Sequence, residues 1–202
     1  MSRRAKPRPR LAFTASAFLA LAAVGLAKIE ALTLDQMVAR ADNAVYGEIV
    51  AKRAFRVDHP FDGPALYFTT LTLEGRSLPQ GALITVDVTY HGGWVAPDDG
   101  VWNSEAPSED DTRLGSRVVV FYDWRENLGG GVAANGLEAA HGGLYRTVDG
   151  PRGTIVLGRG PGYCVRQNVA LAELEAAIAQ ARAEQHAEQH AADGAEHAEG
   201  ER

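Results

Sequence analysis

Between about residues 44 and 158 the apolar positions alternate with polar ones. On either side of that stretch they recur every three or four residues. Period two marks a half-buried strand and period three to four an amphipathic helix. In AVYGEIVAKRAFRV (44–57), Val45, Gly47, Ile49 and Ala51 share one face and Tyr46, Glu48, Val50 and Lys52 the other. This pattern predicts a long strand with Gly47 as a place to bend or bulge. LYFTTLTLEG (66–75) and ALITVDVTYHG (82–92) predict two more strands, set off by the turns DHPFDGP (58–64) and LPQG (78–81). GSRVVVFYDW (115–124) is the most apolar run and is expected to be a central strand covered on both faces. GGLYRTVDG (142–150) and GTIVLG (153–158) read as two closing strands across a turn at Asp149-Gly150-Pro151. Val118, Val120, Phe121, Ile49, Leu71 and Ile84 are expected to contribute to one core.

Two helices flank this region. Thr33-Leu34-Asp35-Gln36 fits a capping box ahead of Met37, Val38 and Ala41, which predicts a short helix over about 34–42. From about Asn168, Leu171, Leu174, Ile178 and Ala181 repeat at helical steps, giving an amphipathic helix. No large apolar residue follows Ile178, so residues 184–202 read as a disordered Ala/Glu/His-rich tail. Strands without a βαβ rhythm, a helix at each end and one domain's length predict a mainly β fold, a small antiparallel barrel. Residues 92–115 and 127–136 break the alternation and read as long loops. A loop of the first length is uncommon in a compact domain unless it is mobile or has a task.

The N-terminus changes the picture of where the chain works. MSRRAKPRPR holds five basic residues and no acidic one, and residues 11–27 carry no charge and end in Gly25-Leu26-Ala27. These are the parts of a signal peptide, with Lys28 as the expected first residue of the mature chain. An uncleaved signal-anchor is the alternative, because the run is marginal for a spanning helix. The domain organisation expected is therefore 1–27 leader, 28–183 barrel with flanking helices, and 184–202 tail. The chain is exported on this reading, to the periplasm or the outside, and is membrane-associated only if residues 11–27 are retained.

The whole chain has 20 basic and 26 acidic residues, and removing the five leader basics leaves a net charge of about −11. That argues against nucleic-acid binding, which wants a basic face. Cys164 is the single cysteine, so no internal disulfide is possible, and a buried thiol packed as a small hydrophobe is expected.

Several segments carry a resemblance. They are LTLDQMVARADNAVYGEIVAKRAF, YFTTLTLEG, ITVDVTYHGGW, GSRVVVFYDW and GGLYRTVDG, spanning about residues 32–150. Together they resemble a group of uncharacterised exported bacterial proteins. In that group a short helix leads into a V-x-G-x-V strand, a Thr-rich strand, a Gly-Gly loop and a Gly-x-x-Val-x-x-Phe strand. Their layout is similar to the oligomer-binding (OB) barrel of netrin-like domains and tissue inhibitors of metalloproteinases. The resemblance implies an OB-like barrel. Those inhibitors chelate a protease zinc through a cysteine at the mature N-terminus, and Lys28-Ile29-Glu30 offers none, so that mechanism does not carry over.

Candidate chemistry is sparse. HGGW (91–94) and HGGL (141–144) are like the His-Gly-Gly loop that supplies oxyanion-hole amides in some esterases, but no Gly-x-Ser-x-Gly accompanies them. Gly-Arg-Gly-Pro-Gly (158–162) lacks the phosphate-loop ending and reads as a flexible link. Asp98, Asp99, Glu105, Glu109, Asp110 and Asp111 are oxygen ligands of the kind calcium takes, at spacings that match no calcium loop. His186 and His190 share a helical face near Glu184, Glu188 and His197, short of the four ligands of a structural zinc site. The expectation is a non-catalytic binding module with no cofactor and no resident metal. It would engage an extracytoplasmic protein or small ligand through its long loops. An envelope-anchored structural protein assembling through the 168–183 helix is the alternative.

Overall fold

The computed structural model describes residues 31–200, with side chains through residue 191. The expected leader, its expected cleavage point and the side chain of His197 lie outside the described residues.

The first helix forms as its capping box dictates. In α1 (Leu34–Arg40) the Gln36 amide donates to Thr33 Oγ1 at 3.2 Å and the Thr33 amide to Gln36 Oε1 at 2.9 Å. The strands are β1 (Asn43–His59), β2 (Gly63–Leu78), β3 (Leu83–His91), β4 (Gly93–Ala96), β5 (Asp99–Val101), β6 (Arg117–Arg125), β7 (Ala134–Leu137), β8 (Leu144–Gly150), β9 (Gly153–Val156) and β10 (Val169–Ala170). The second helix, α2, runs Leu171–Gly200. It passes residue 183, where the sequence places the start of a disordered tail. From residue 186 through 191 every described side chain is exposed, so over these residues the helix projects without packing.

β1, β2, β3, β7 and β6 close into an OB-like barrel. β1, β2 and β3 form an antiparallel meander, β6 returns to β1 through the register Asn43↔Tyr122 to Glu48↔Arg117, and β7 joins β3 by a parallel bridge at Thr89↔Gly136. Apart from that one bridge the barrel is antiparallel, as the alternating pattern predicts. The expected closing strands, β8 and β9, do not close it. β8 continues along the edge of β6 that β7 leaves, and β9 and β10 extend the sheet away from the barrel. The closing strand is β7, from the segment that the sequence reads as loop. Its four residues, Ala-Asn-Gly-Leu, carry no alternation to detect.

β6 explains why there are two cores. Val118, Val120 and Tyr122 point into the barrel, where they meet Val45, Ile49, Leu71, Leu73 and Val88. Val119 and Phe121 point outward, where they meet Met37, Val38, Tyr145, Leu174 and Ile178. The strand is covered on both faces, as its apolar density predicts, but Phe121 belongs to a different core from Val118, Val120, Ile49 and Leu71. The helical stripe of Leu171, Leu174, Ile178 and Ala181 is buried in the outer core against α1 and the barrel wall. Arg76 clamps α2 to β2 through two bonds to Glu175, at 2.5 and 2.8 Å.

Gly47 and Gly75 stand opposite each other in β1 and β2. A Cβ on Gly75 would lie 2.1 Å from the Tyr46 carbonyl oxygen. The bulge falls just beyond, between Ile49 and Ala51, so the glycine permits a close strand approach and the bend follows it.

Candidate functional site

The segment between β3 and β6, residues 92–115, is built rather than loose. It opens with the hairpin of β4 and β5 and continues as turns that return to the barrel. Gly92 and Gly93 both have positive φ, and a Cβ on Gly93 would lie 2.1 Å from Thr69 Oγ1. Glycine is needed here because the chain crosses the barrel mouth against β2. Thr69 fixes the crossing by donating to the Gly92 carbonyl at 2.7 Å.

Further along, Lys52 on β1 donates to Glu109 at 2.8 Å and to Thr112 at 2.9 Å. Asp111 is buried and accepts from Arg159, while Arg146 stands 3.3 Å away on its other side. Arg159 also donates to the His141 carbonyl at 2.7 Å and lies over the Tyr163 ring. The His141 amide donates to the Glu105 carbonyl at 2.8 Å, and its ring nitrogen Nε2 is 2.9 Å from Tyr163 Oη. The far end of the segment is thus bolted to the 158–166 turn by a charged and aromatic cluster.

Between this segment and the barrel mouth lies a cleft of about 960 Å³. Lys52, Ala54, Thr69 and Tyr90 come from the barrel, and Trp94, Trp102, Asn103, Ser104, Thr112 and Arg113 from the segment. Tyr90 is buried at the floor, and burial raises its phenol above the ordinary value while the Thr112 and Thr69 hydroxyls oppose the shift. Trp94 is 53% exposed and Trp102 76% exposed. The Trp94 ring covers Gly100, whose Cβ would meet its Cε3 at 2.7 Å. A second cleft of about 330 Å³, lined by Tyr67, His91 and Asn103, shares Trp102 with the first.

The sequence candidates are dispersed by the fold. Asp99 accepts from Tyr67, Glu109 pairs with Lys52, Asp110 with Arg113, and Asp111 with Arg159, so four of the six acids are drawn to separate partners. Among the described residues no three His, Cys, Asp or Glu side chains gather at metal-binding distance. In HGGW the Gly92 amide donates to the Tyr67 carbonyl at 2.7 Å, and in HGGL the Gly142 amide donates to the Ala139 carbonyl at 2.9 Å. Both amides are spent inside the fold. The 158–162 segment is no flexible link. Its Arg159 and Gly160 amides donate to the Val165 and Arg166 carbonyls, each at 3.0 Å. The 127–136 segment is likewise tied down, by the Gly130 amide donating to Asp62 at 2.7 Å before β7 begins.

His186 and His190 stand exposed on the free part of α2. Cys164 is half-buried beside the outer core, with Sγ 3.1 Å from Tyr145 Oη. Burial pushes its thiol up, against hydrogen bonds from Tyr145 and the backbone, which keeps it protonated and poorly nucleophilic at neutral pH.

Trp94 and Trp102 are not singled out by period or motif. The available signal was their placement. Tryptophan is on average a well-buried residue, and two of the three here fall in a segment rich in glycine and acid with no apolar alternation to bury them. No described helix is long and apolar enough to cross a membrane. No family model matches the chain, and no curated protein or solved structure matches it.

Proposed function

We propose that this chain is an exported, non-catalytic binding module that engages its ligand in the cleft between the barrel mouth and residues 92–115. The observation that carries this is the pairing of Trp94 and Trp102, half or more exposed, with a segment pinned at both ends. Large aromatic faces left in solvent on a rigid support are what a recognition surface needs, because little order must be gained on binding. The non-catalytic part of the reading is supported by the bonding of the Gly92 and Gly142 amides within the fold and by the raised Cys164 thiol, which disfavour an oxyanion hole and a thiolate there. Export rests on the basic and apolar pattern of residues 1–27. The net negative charge disfavours nucleic acid as the ligand.

Assembly through the 168–183 helix has less to stand on. Its apolar stripe is already buried within the chain.

The test uses the exported protein as bait against the envelope fraction and against a small-molecule panel, beside the Trp94→Ala and Trp102→Ala variants. Deleting residues 104–112 is a poorer test, because it removes the buried Asp111 and Thr112. Capture that weakens in both variants while melting is unchanged is the expected result. Undiminished capture moves the binding surface elsewhere, and turnover of an ester, peptide, glycoside or phosphoester substrate ends the non-catalytic reading.

A further inference from the structure

We infer that the cleft takes a neutral oligosaccharide, stacked on the Trp94 and Trp102 indoles. This deepens the binding-module reading and rests on it. Three features point to this ligand class.

The first is charge. The ionic groups at the cleft are closed into pairs, Lys52 with Glu109 at 2.8 Å and Arg113 with Asp110 at 2.6 Å. These two cations and two anions cancel, so the lining carries no net charge to attract a ligand of either sign, and an uncharged ligand is the complementary one. The second is the mixture of flat apolar faces and hydroxyls. The two exposed indoles share the cleft with the exposed hydroxyls of Ser104 and Ser108, while Thr69 and Thr112 are buried beneath with their hydroxyls already bonded. A pyranose ring has the matching character, with a face of C–H groups and a rim of hydroxyls. Trp and Tyr suit such ligands because they offer rigid area with a polar handle. The third is shape. Trp102 lines both the 960 Å³ and the 330 Å³ clefts, so the surface continues past it on two sides. A ligand of linked rings fills both clefts, whereas a monosaccharide leaves one empty. A peptide anchored by one side chain needs a closed, desolvated pocket, and here the aromatic faces stay wet.

The experiment is calorimetric titration of the full-length protein with uncharged linear oligosaccharides, including gluco-, manno- and chito-oligomers. A sulfated glycan and a proline-rich peptide serve as the charged and peptide arms. Tryptophan emission is followed in a Trp124→Phe background, since Trp124 is exposed on β6 outside both clefts. The expected result is binding of at least one neutral oligomer, tighter with chain length, with quenched emission. Trp94→Ala and Trp102→Ala should each weaken it about tenfold or more, and Trp102→Phe should weaken it less. Circular dichroism melts separate lost binding from lost fold. Binding of the sulfated glycan alone, of the peptide alone, or of no oligomer overturns the inference. If no oligomer binds but envelope capture still depends on both tryptophans, only the ligand class is wrong. If capture is indifferent to both, the binding-module reading fails with it.

Discussion

At the scale of single residues, the most consequential charge is Asp111. It holds the far end of the 92–115 segment through Arg159 and Arg146 from inside the fold. Removing one partner of a buried pair leaves the other desolvated and uncompensated, at about 3–5 kcal/mol when burial is complete. Arg159 keeps 19% of its side-chain exposure, so Asp111→Ala should cost nearer to about 2–3 kcal/mol by that reasoning. Urea denaturation of the variant checks this, and a loss below 1 kcal/mol by the same principle would mean the pair is surface decoration. Ala139 and Ala140 offer the opposite case. Both hold left-handed φ values, 49° and 54°, in the kink between β7 and β8. That conformation costs a non-glycine residue roughly 1–2 kcal/mol, against about 0.5–1 kcal/mol for the extra freedom glycine loses. Ala139→Gly should therefore raise stability slightly, by about 0.5 kcal/mol. A lowered melting temperature would contradict it.

At the scale of elements, the Arg76–Glu175 clamp sets how α2 responds to acid. The Glu175 carboxyl lies below its ordinary value because Arg76 hydrogen-bonds and attracts its charged form, with slight burial opposing. Stability from the clamp is therefore complete above the unfolded glutamate pKa of about 4.3 and disappears as pH falls through the depressed folded value. Glu175→Gln should cost on the order of 1 kcal/mol at neutral pH and flatten the stability curve below about pH 4. Unfolding midpoints measured from pH 7 to pH 3 test this, and parallel curves for variant and parent would refute it. The elements themselves were unevenly legible. α1 declares its start through Thr33 and Gln36, and β1, β2, β3 and β6 declare themselves through long alternation. β7 is invisible because Gly136 sits beneath Leu128 and Arg125, so packing falls to its neighbours rather than to its own side chains. The cleft was legible only as a long segment. Its acids stood out in sequence, but Glu109, Asp110 and Asp111 are spent on Lys52, Arg113 and Arg159, and the tryptophans left exposed beside that bracing form no motif.

At the scale of the whole molecule, the two cores divide the work. The barrel interior depends on Val118, Val120 and Leu71, and the outer core joins the barrel to both helices. Val120→Ala empties part of a fully buried site and should cost about 1–3 kcal/mol. A change near zero in chemical denaturation would mean that the barrel collapses around the gap. The free end of α2 belongs to neither core. Stopping the chain after Ala183 removes, among described contacts to the domain, the Gln185 bond to the Asp35 carbonyl at 3.3 Å. The truncated protein should melt within a few degrees of the parent, the shift expected for about 1 kcal/mol or less. A larger drop would show that the extension is docked.

The return of β6 to β1 has a consequence for the order of events in folding. β1, β2 and β3 are neighbours in sequence and can pair early, but Asn43 must wait for Tyr122 before the cylinder closes. Until then Ile49, Leu71, Leu73 and Val88 line an open trough facing water. Contacts made across such a separation form late, which puts small β-barrels in the millisecond-to-second range rather than the microseconds of helical bundles. A chain of which only the first 115 residues have left the ribosome holds β1, β2 and β3 but not the strand that covers their apolar face, and exposed apolar strands of this kind favour aggregation. Shortening the 92–115 segment would hasten closure only weakly, because loop entropy grows with the logarithm of length. Closure therefore needs both Arg117–Arg125, the strand that the two cores share, and Ala134–Leu137, which bridges it to β3.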